Sequence, residues 1–151
     1  MNYSSYFKTP LGILEVIASE HAIHSILFVE SMKQAQSNAL TQLAQKQLEE
    51  YFQGQRQKFD LPLDPGGTQF QQSVWKQLME IDYGATSTYQ AIANAIANPK
   101  AVRAVGSANG KNPMTIVVPC HRVIGSDGSM TGYAFGVDKK AWLLKHEGVE
   151  I

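Results

Sequence analysis

From Asn112 to Gly125 the chain carries the stretch that most limits what it can fold into. An apolar run, Met114 to Val118, has the length of a short buried strand, and Pro119 closes it because proline has no amide hydrogen to give a sheet ladder. The chain's one cysteine, Cys120, therefore stands just past a rigid edge. His121 and Arg122 follow directly, so a base and a permanent cation flank a potential nucleophile. A cysteine without such neighbours is more often a small buried hydrophobe. With them, and with an accessible thiol, the stretch reads as a reactive site.

A chain of 151 residues buries about 68 to 70% of the surface its unfolded form exposes, enough for one good core or two small ones. No apolar stretch approaches the roughly 20 residues of a membrane span, and a lone cysteine forms no internal disulfide. No secretory signal precedes Tyr3. A cytoplasmic location without a membrane partner is expected. The formal net charge of zero argues against nucleic acid, but the distribution argues otherwise. Lys8, Lys33, Lys46, Arg56 and Lys58 are matched early in the chain by Glu15, Glu20, Glu30, Glu49, Glu50 and Asp60, whereas Tyr83 to Ser126 holds Lys100, Arg103, Lys111 and Arg122 and no acid. One face of the second half is expected to be locally positive, with modest affinity for phosphates because the cations are few.

Tyr3 to Lys8, Ile13 to Ala18 and Ile23 to Val29 read as three strands separated by turns, an antiparallel meander. Ser37 or Asn38 caps a helix with apolar positions Leu40, Leu43, Leu48, Tyr51 and Phe52, and Gly54 ends it. His21 and His24 lack the further ligands a metal needs and read as surface or packing histidines; no metal or cofactor is expected. Gln55 to Gly67 is polar and rich in proline and glycine. It divides the chain into an α/β part, residues 1–65, and a second part, residues 66–151.

Thr68 with Gln71 forms a capping box ahead of the stripe Phe70, Val74, Trp75, Leu78 and Ile81. Ser87 with Gln90 forms another, for a helix ending at Asn98, and Pro99 suits the first position of a third helix capped by Asn98. Two helices so close resemble a helix-turn-helix, although small-residue helix pairs also arise in plain core packing. After Ile124 comes a glycine-rich loop to Tyr133 that fits no phosphate-binding pattern, and Val137 to His146 reads as a last helix with Glu147 at its end. The fold class expected is α+β: a small N-terminal antiparallel sheet plus helix, then a mainly α domain with a helix-turn-helix and a short strand leading to the active cysteine.

Pro119-Cys120-His121-Arg122-Val123-Ile124, preceded by Asn112-Pro113, resembles the active-site signature of the O6-alkylguanine-DNA alkyltransferases, the methylated-DNA–protein-cysteine methyltransferases. The resemblance extends, in order and spacing, to Phe70-Gln71 with Val74-Trp75, Tyr83-Gly84 with Thr88-Tyr89, Pro99-Lys100-Ala101 with Arg103 to Gly106, Gly132-Tyr133, and Leu143-Leu144 with His146-Glu147. Residues 1–60 resemble the family's N-terminal domain only in length and element order. Some members hold a zinc there through cysteines, which this chain lacks, so no zinc is carried over.

The resemblance implies direct repair of DNA. O6-alkylguanine, with O4-alkylthymine as a second substrate, is flipped from the duplex and its alkyl group passes irreversibly to Cys120, once per molecule. It implies His121 as base, acting through a bridging water, Glu147 as the group that holds the imidazole, Tyr89 as proton donor to the leaving base, and Asn112 as brace of the cysteine's turn. It implies a DNA-binding set of Arg103, which fills the vacated stack, with Thr88, Lys100, Ala104 and Asn109, on a helix lying in the minor groove. A base pocket of Met114, Val123, Met130, Tyr133, Ala134 and Phe135 completes the site. Phe135 stands where the family usually has the first of two glycines, so the pocket rim is expected to be narrower or differently folded; Asp82 stands where proline is common before Tyr83-Gly84. The expected partner is double-stranded DNA containing alkylated bases, bound by a monomer. Two rivals are a Cys-His-Glu hydrolase, which turnover on esters or peptides marks, and a module that binds alkylated bases without repairing them, whose relatives lack the cysteine.

Overall fold

The structure, a computed structural model, describes residues 2–130 and 132–151. The chain splits into two compact units, Met1–Gly66 with Pro113–Val117, and Gly67–Asn112 with Val118–Ile151. The boundary after Gly66 lies within the proline- and glycine-rich connector, but the second crossing has no such signal. Five residues just ahead of the cysteine leave their neighbours in sequence and join the first unit.

In the first unit, β1 (Tyr3–Thr9), β2 (Gly12–Ala18) and β3 (Ile23–Val29) form an antiparallel meander, with Tyr3 opposite Ala18 and Ile13 opposite Val29. Alternation drives it. Leu14, Val16 and Ala18 point inward with Phe7, Ile23 and Ile26, and all are buried. Helix α1 (Ala39–Phe52) packs on β1 and β2 and buries Ala44, Leu48 and Tyr51. Of the two caps expected, Asn38 is the one used. Its side chain accepts from the Thr41 amide while the Thr41 hydroxyl accepts from the Asn38 amide.

The free edge of β3 is met by isolated parallel bridges from Leu63 and Met114. The expected strand over 114–118 is reduced to that bridge at Met114, flanked by hydrogen bonds from the Ile26 amide to the Pro113 carbonyl and from the Thr115 amide to the Ile26 carbonyl. Ile116 adopts φ 73°, a left-handed conformation that a β-branched residue rarely takes, and it turns the chain out of strand geometry.

In the second unit, α2 (Gln69–Leu78), α3 (Tyr89–Ala95) and α4 (Val102–Gly110) pack pairwise. The capping box on α2 is the expected one, Thr68 with Gln71. The Trp75 indole donates to the Ala108 carbonyl over 2.9 Å, locking α2 to α4. Helix α5 (Val137–His146) closes the unit with the expected bounds. Thr131, within the glycine-rich loop, lies outside the described residues. Among the described residues no helix is long and apolar enough to cross a membrane.

Three local expectations are corrected. Ser87 does not cap α3, because Ser87 and Thr88 form β4 and pair in parallel with β5 (Val123–Ile124); the cap passes to Thr88, whose hydroxyl accepts from the Ala91 amide at 3.1 Å. Helix α3 also stops at Ala95 rather than Asn98, since Ala97 turns left-handed at φ 60°. Nor does Asn98 with Pro99 start the next helix. Residues 98–101 form a turn, with the Pro99 carbonyl taken by the Gln90 side chain, and α4 begins at Val102 after Ala101, which offers no side-chain cap. The Thr88 cap yields a prediction: Thr88→Ala costs about 1 kcal/mol of stability and lowers Tm by about 2 to 4 °C, measured by urea and thermal unfolding.

Candidate active site around Cys120

The β4–β5 pairing, Ser87 with Val123 and Thr88 with Ile124, brings the start of α3 beside the turn that carries the cysteine. That turn is a single 3-10 turn, Cys120–Arg122, beginning directly after Pro119. Asn112 braces it from behind, its amide donating to the Val118 carbonyl at 2.7 Å, and the Cys120 amide donates to the same carbonyl at 2.8 Å.

His121 and Arg122 both turn to Glu147, the residue that ends α5. Nε2 of His121 lies 2.7 Å from one carboxylate oxygen, and Nε of Arg122 donates to the other at 2.7 Å. The side chains of His121 and Glu147 are wholly buried and that of Arg122 nearly so. Arg122 also donates to the Ile81 carbonyl at 2.6 Å and sits over the Tyr83 ring. The cation next to the cysteine is thus spent on the carboxylate and the Ile81 backbone, which the residue order alone does not reveal.

Burial would raise the Glu147 carboxyl, but hydrogen bonds from His121 and Arg122 and the charge of Arg122 outweigh it and hold the group at about 2. Burial pushes the His121 imidazole down, against the pull of Glu147. The stable state is therefore an ionised carboxylate facing a neutral ring. An ionised carboxylate only accepts, so the ring proton is assigned to Nε2 and Nδ1 keeps its lone pair. Nδ1 is buried and has no hydrogen-bond partner among the described residues, which leaves it able to take a proton.

Cys120 itself is only 6% exposed, so the accessibility on which the reactive-site reading depends is slight. Burial pushes its pKa up, opposed by a hydrogen bond from Asn112 and by the charge of Lys140. Lys140 was not anticipated. It is fully buried on α5, its ammonium donating to the Val123 carbonyl at 2.5 Å, and burial pushes it down while a Cys120 thiolate would raise it. Its position was visible in the pattern, because 140, 143 and 144 share the buried helix face with Leu143 and Leu144.

Of the residues assigned to DNA, Arg103 and Ala104 lie on the exposed face of α4, Lys100 is exposed ahead of it, and Thr88 is half-buried as the α3 cap. Asn109 does not join them. It is 2% exposed, on the buried face with Val105 and Ala108, and its amide points to the Cys120 carbonyl at 3.4 Å while its oxygen has no partner among the described residues. The reason is helical phase: 105, 108 and 109 form the inward stripe, and 103, 104 and 107 the outward one. Among the pocket residues Val123 and Tyr133 are buried, Met130 and Phe135 half-buried and Ala134 exposed; the rings of Tyr133 and Phe135 meet edge to face at 6.0 Å. Met114 is held in the first unit, bridged to Ile26. Tyr89, first residue of α3, brings its hydroxyl against the backbone of Gly132.

This architecture has known counterparts. Residues 69–149 match the family model described as 6-O-methylguanine DNA methyltransferase, DNA binding domain, and residues 2–65 match 6-O-methylguanine DNA methyltransferase, ribonuclease-like domain. The chain belongs to the 6-O-methylguanine DNA methyltransferase family. The methylated-DNA–protein-cysteine methyltransferase of Methanosarcina acetivorans is 46% identical over 97% of this chain and 98% of that protein. The constitutive enzyme of that name from Bacillus subtilis is 44% identical over 99% and 97%. The crystal structure of Mycobacterium tuberculosis O6-methylguanine methyltransferase superposes with a TM-score of 0.88 at 40% identity, over 97% of this chain and 93% of that one.

Two variants test the electrostatics. Glu147→Gln leaves the Arg122 cation buried without its counter-ion and costs about 3 to 5 kcal/mol at neutral pH. Because the folded carboxyl titrates at about 2, below its usual 4.5, its stabilisation is present above about pH 4.5 and is lost as pH falls toward 2. The gap between variant and parent in urea unfolding therefore closes over that window. Lys140→Met removes the charge that favours the thiolate. The pH profile for alkylation of Cys120 by iodoacetamide moves upward, and the reaction slows at neutral pH.

Proposed function

We propose that this chain repairs DNA by taking the alkyl group from O6 of guanine onto Cys120, once per molecule. The observation that carries the reading is the buried relay beside the cysteine: Arg122 and His121 on one carboxylate, with Nδ1 of the imidazole left as a base. The thiol proton passes to Nδ1 through a bridging water, and Glu147 stabilises the imidazolium that forms. The thiolate attacks the alkyl carbon in line as the bond from carbon to O6 breaks, and the guanine leaves with the electron pair. Tyr89 donates a proton to the base ring as that charge develops and is reprotonated, through solvent, as the imidazolium gives up the thiol's proton, so the net transfer is one proton from sulfur to guanine. A thioether remains. It is a poor leaving group, and no second nucleophile is assigned to remove it.

A structure of Mycobacterium tuberculosis OGT in complex with DNA aligns with a TM-score of 0.86 at 42% identity, over 94% of this chain and 90% of that one, which supports DNA as the partner here. The target nucleotide is flipped from the duplex, at a cost of a few kcal/mol in stacking. Arg103, exposed on α4, takes the vacated place, and Ala104 beside it lets the helix come close to the minor groove. The protein acts as a monomer. Phosphate contacts are few, so affinity falls only moderately with salt.

The test is intact-protein mass spectrometry after mixing with a duplex containing O6-methylguanine. Cys120 gains one methylene mass, at most one per chain, and Cys120→Ala gains none. Label on another residue, or release of methyl with continued turnover, would falsify the assignment.

A further inference from the structure

Tyr89 is held from two sides by positions that have no side chain. A Cβ at Gly106, on α4, would lie 3.9 Å from Cδ1 of the Tyr89 ring, an ordinary contact. A Cβ at Gly132 would lie 2.8 Å from the Tyr89 hydroxyl oxygen, closer than such atoms approach, yet 3.8 Å from Cζ of the same ring. The exclusion at Gly132 therefore concerns one atom. A phenylalanine ring in the same place would clear an added methyl group; a tyrosine would not. The ring cannot easily swing aside as a whole, because Tyr89 opens α3 directly after Thr88, which is tied down both by its cap bond and by pairing with Ile124.

We propose that Gly132 is a positioning residue for the reaction: its missing side chain sets where the Tyr89 hydroxyl stands, and so its alignment with the leaving base. This rests on the reading of Tyr89 as proton donor given above. Gly132 also has φ 78°, so any side chain there strains the backbone. That strain does not depend on which ring occupies position 89, and a double-mutant cycle separates it from the contact with the hydroxyl.

Four full-length proteins are compared: the parent, Gly132→Ala, Tyr89→Phe and the double variant. Transfer from an O6-methylguanine duplex is followed under single-turnover conditions at saturating DNA, with iodoacetamide alkylation of Cys120 as a measure of site integrity. Gly132→Ala is expected to slow transfer roughly tenfold or more in the parent, and to change it less than about twofold in the Tyr89→Phe background. Iodoacetamide reactivity stays at the parent level in all four. Equal slowing in both backgrounds would mean that backbone strain alone is at work and would overturn the proposal. So would a Gly132→Ala protein that transfers at the parent rate. A Tyr89→Phe protein at the parent rate removes the donor role and the proposal with it, while a parent that takes up no methyl group strikes at the repair assignment itself.

Discussion

The site depends on one buried carboxylate. Glu147 is reached by two consecutive residues, and each takes a separate oxygen at 2.7 Å. Burying an anion this deeply is costly, and the cost is offset only when its oxygens are filled with good geometry. Here that requirement shapes the backbone. Neighbouring side chains on a strand point to opposite faces, so His121 and Arg122 converge on one acceptor only because the chain tightens into a 3-10 turn. The same pairing ties the C-terminal end of α5 to the residue after the cysteine. Arg122 then extends the link to the Ile81 carbonyl beyond α2.

Helix α4 has two unlike faces. Outward, it offers Arg103 and Ala104; inward, Val105, Ala108 and Asn109 pack within the unit, with Trp75 bound to the Ala108 carbonyl and Asn109 turned to that of Cys120. The helix proposed to meet DNA is thus fastened, through short polar contacts, to the turn that carries the sulfur. The sulfur is nearly covered, and burial works against its ionisation. Asn112 and Lys140 work in the other direction. Such a balance suits a nucleophile that reacts with a base held against it and more slowly with reagents in solvent.

Much of the fold was legible because its signals are local. The meander over residues 3–29, the Asn38 and Thr68 caps and the bounds of α5 each follow from residues within a few positions of one another. The misreadings share a different cause. Ser87 reads as a cap until Val123 pairs with it, and Met114 to Val118 reads as a strand until the left-handed turn at Ile116 leaves Met114 alone bridged to Ile26. Asn109 and Lys140 escape a reading by composition because polar residues on an inward helical stripe resemble surface residues in type and core residues only in phase.

The chain alone settled the family and placed its one cysteine beside a histidine and an arginine, because those are matters of residue type and spacing along a continuous motif. Folding decided which partner each polar group takes: that the cation next to the cysteine serves a carboxylate 25 positions away, and that a lysine of the last helix stands in for it near the thiol. Those outcomes depend on which distant groups burial leaves unsatisfied, and a one-dimensional pattern does not carry that information.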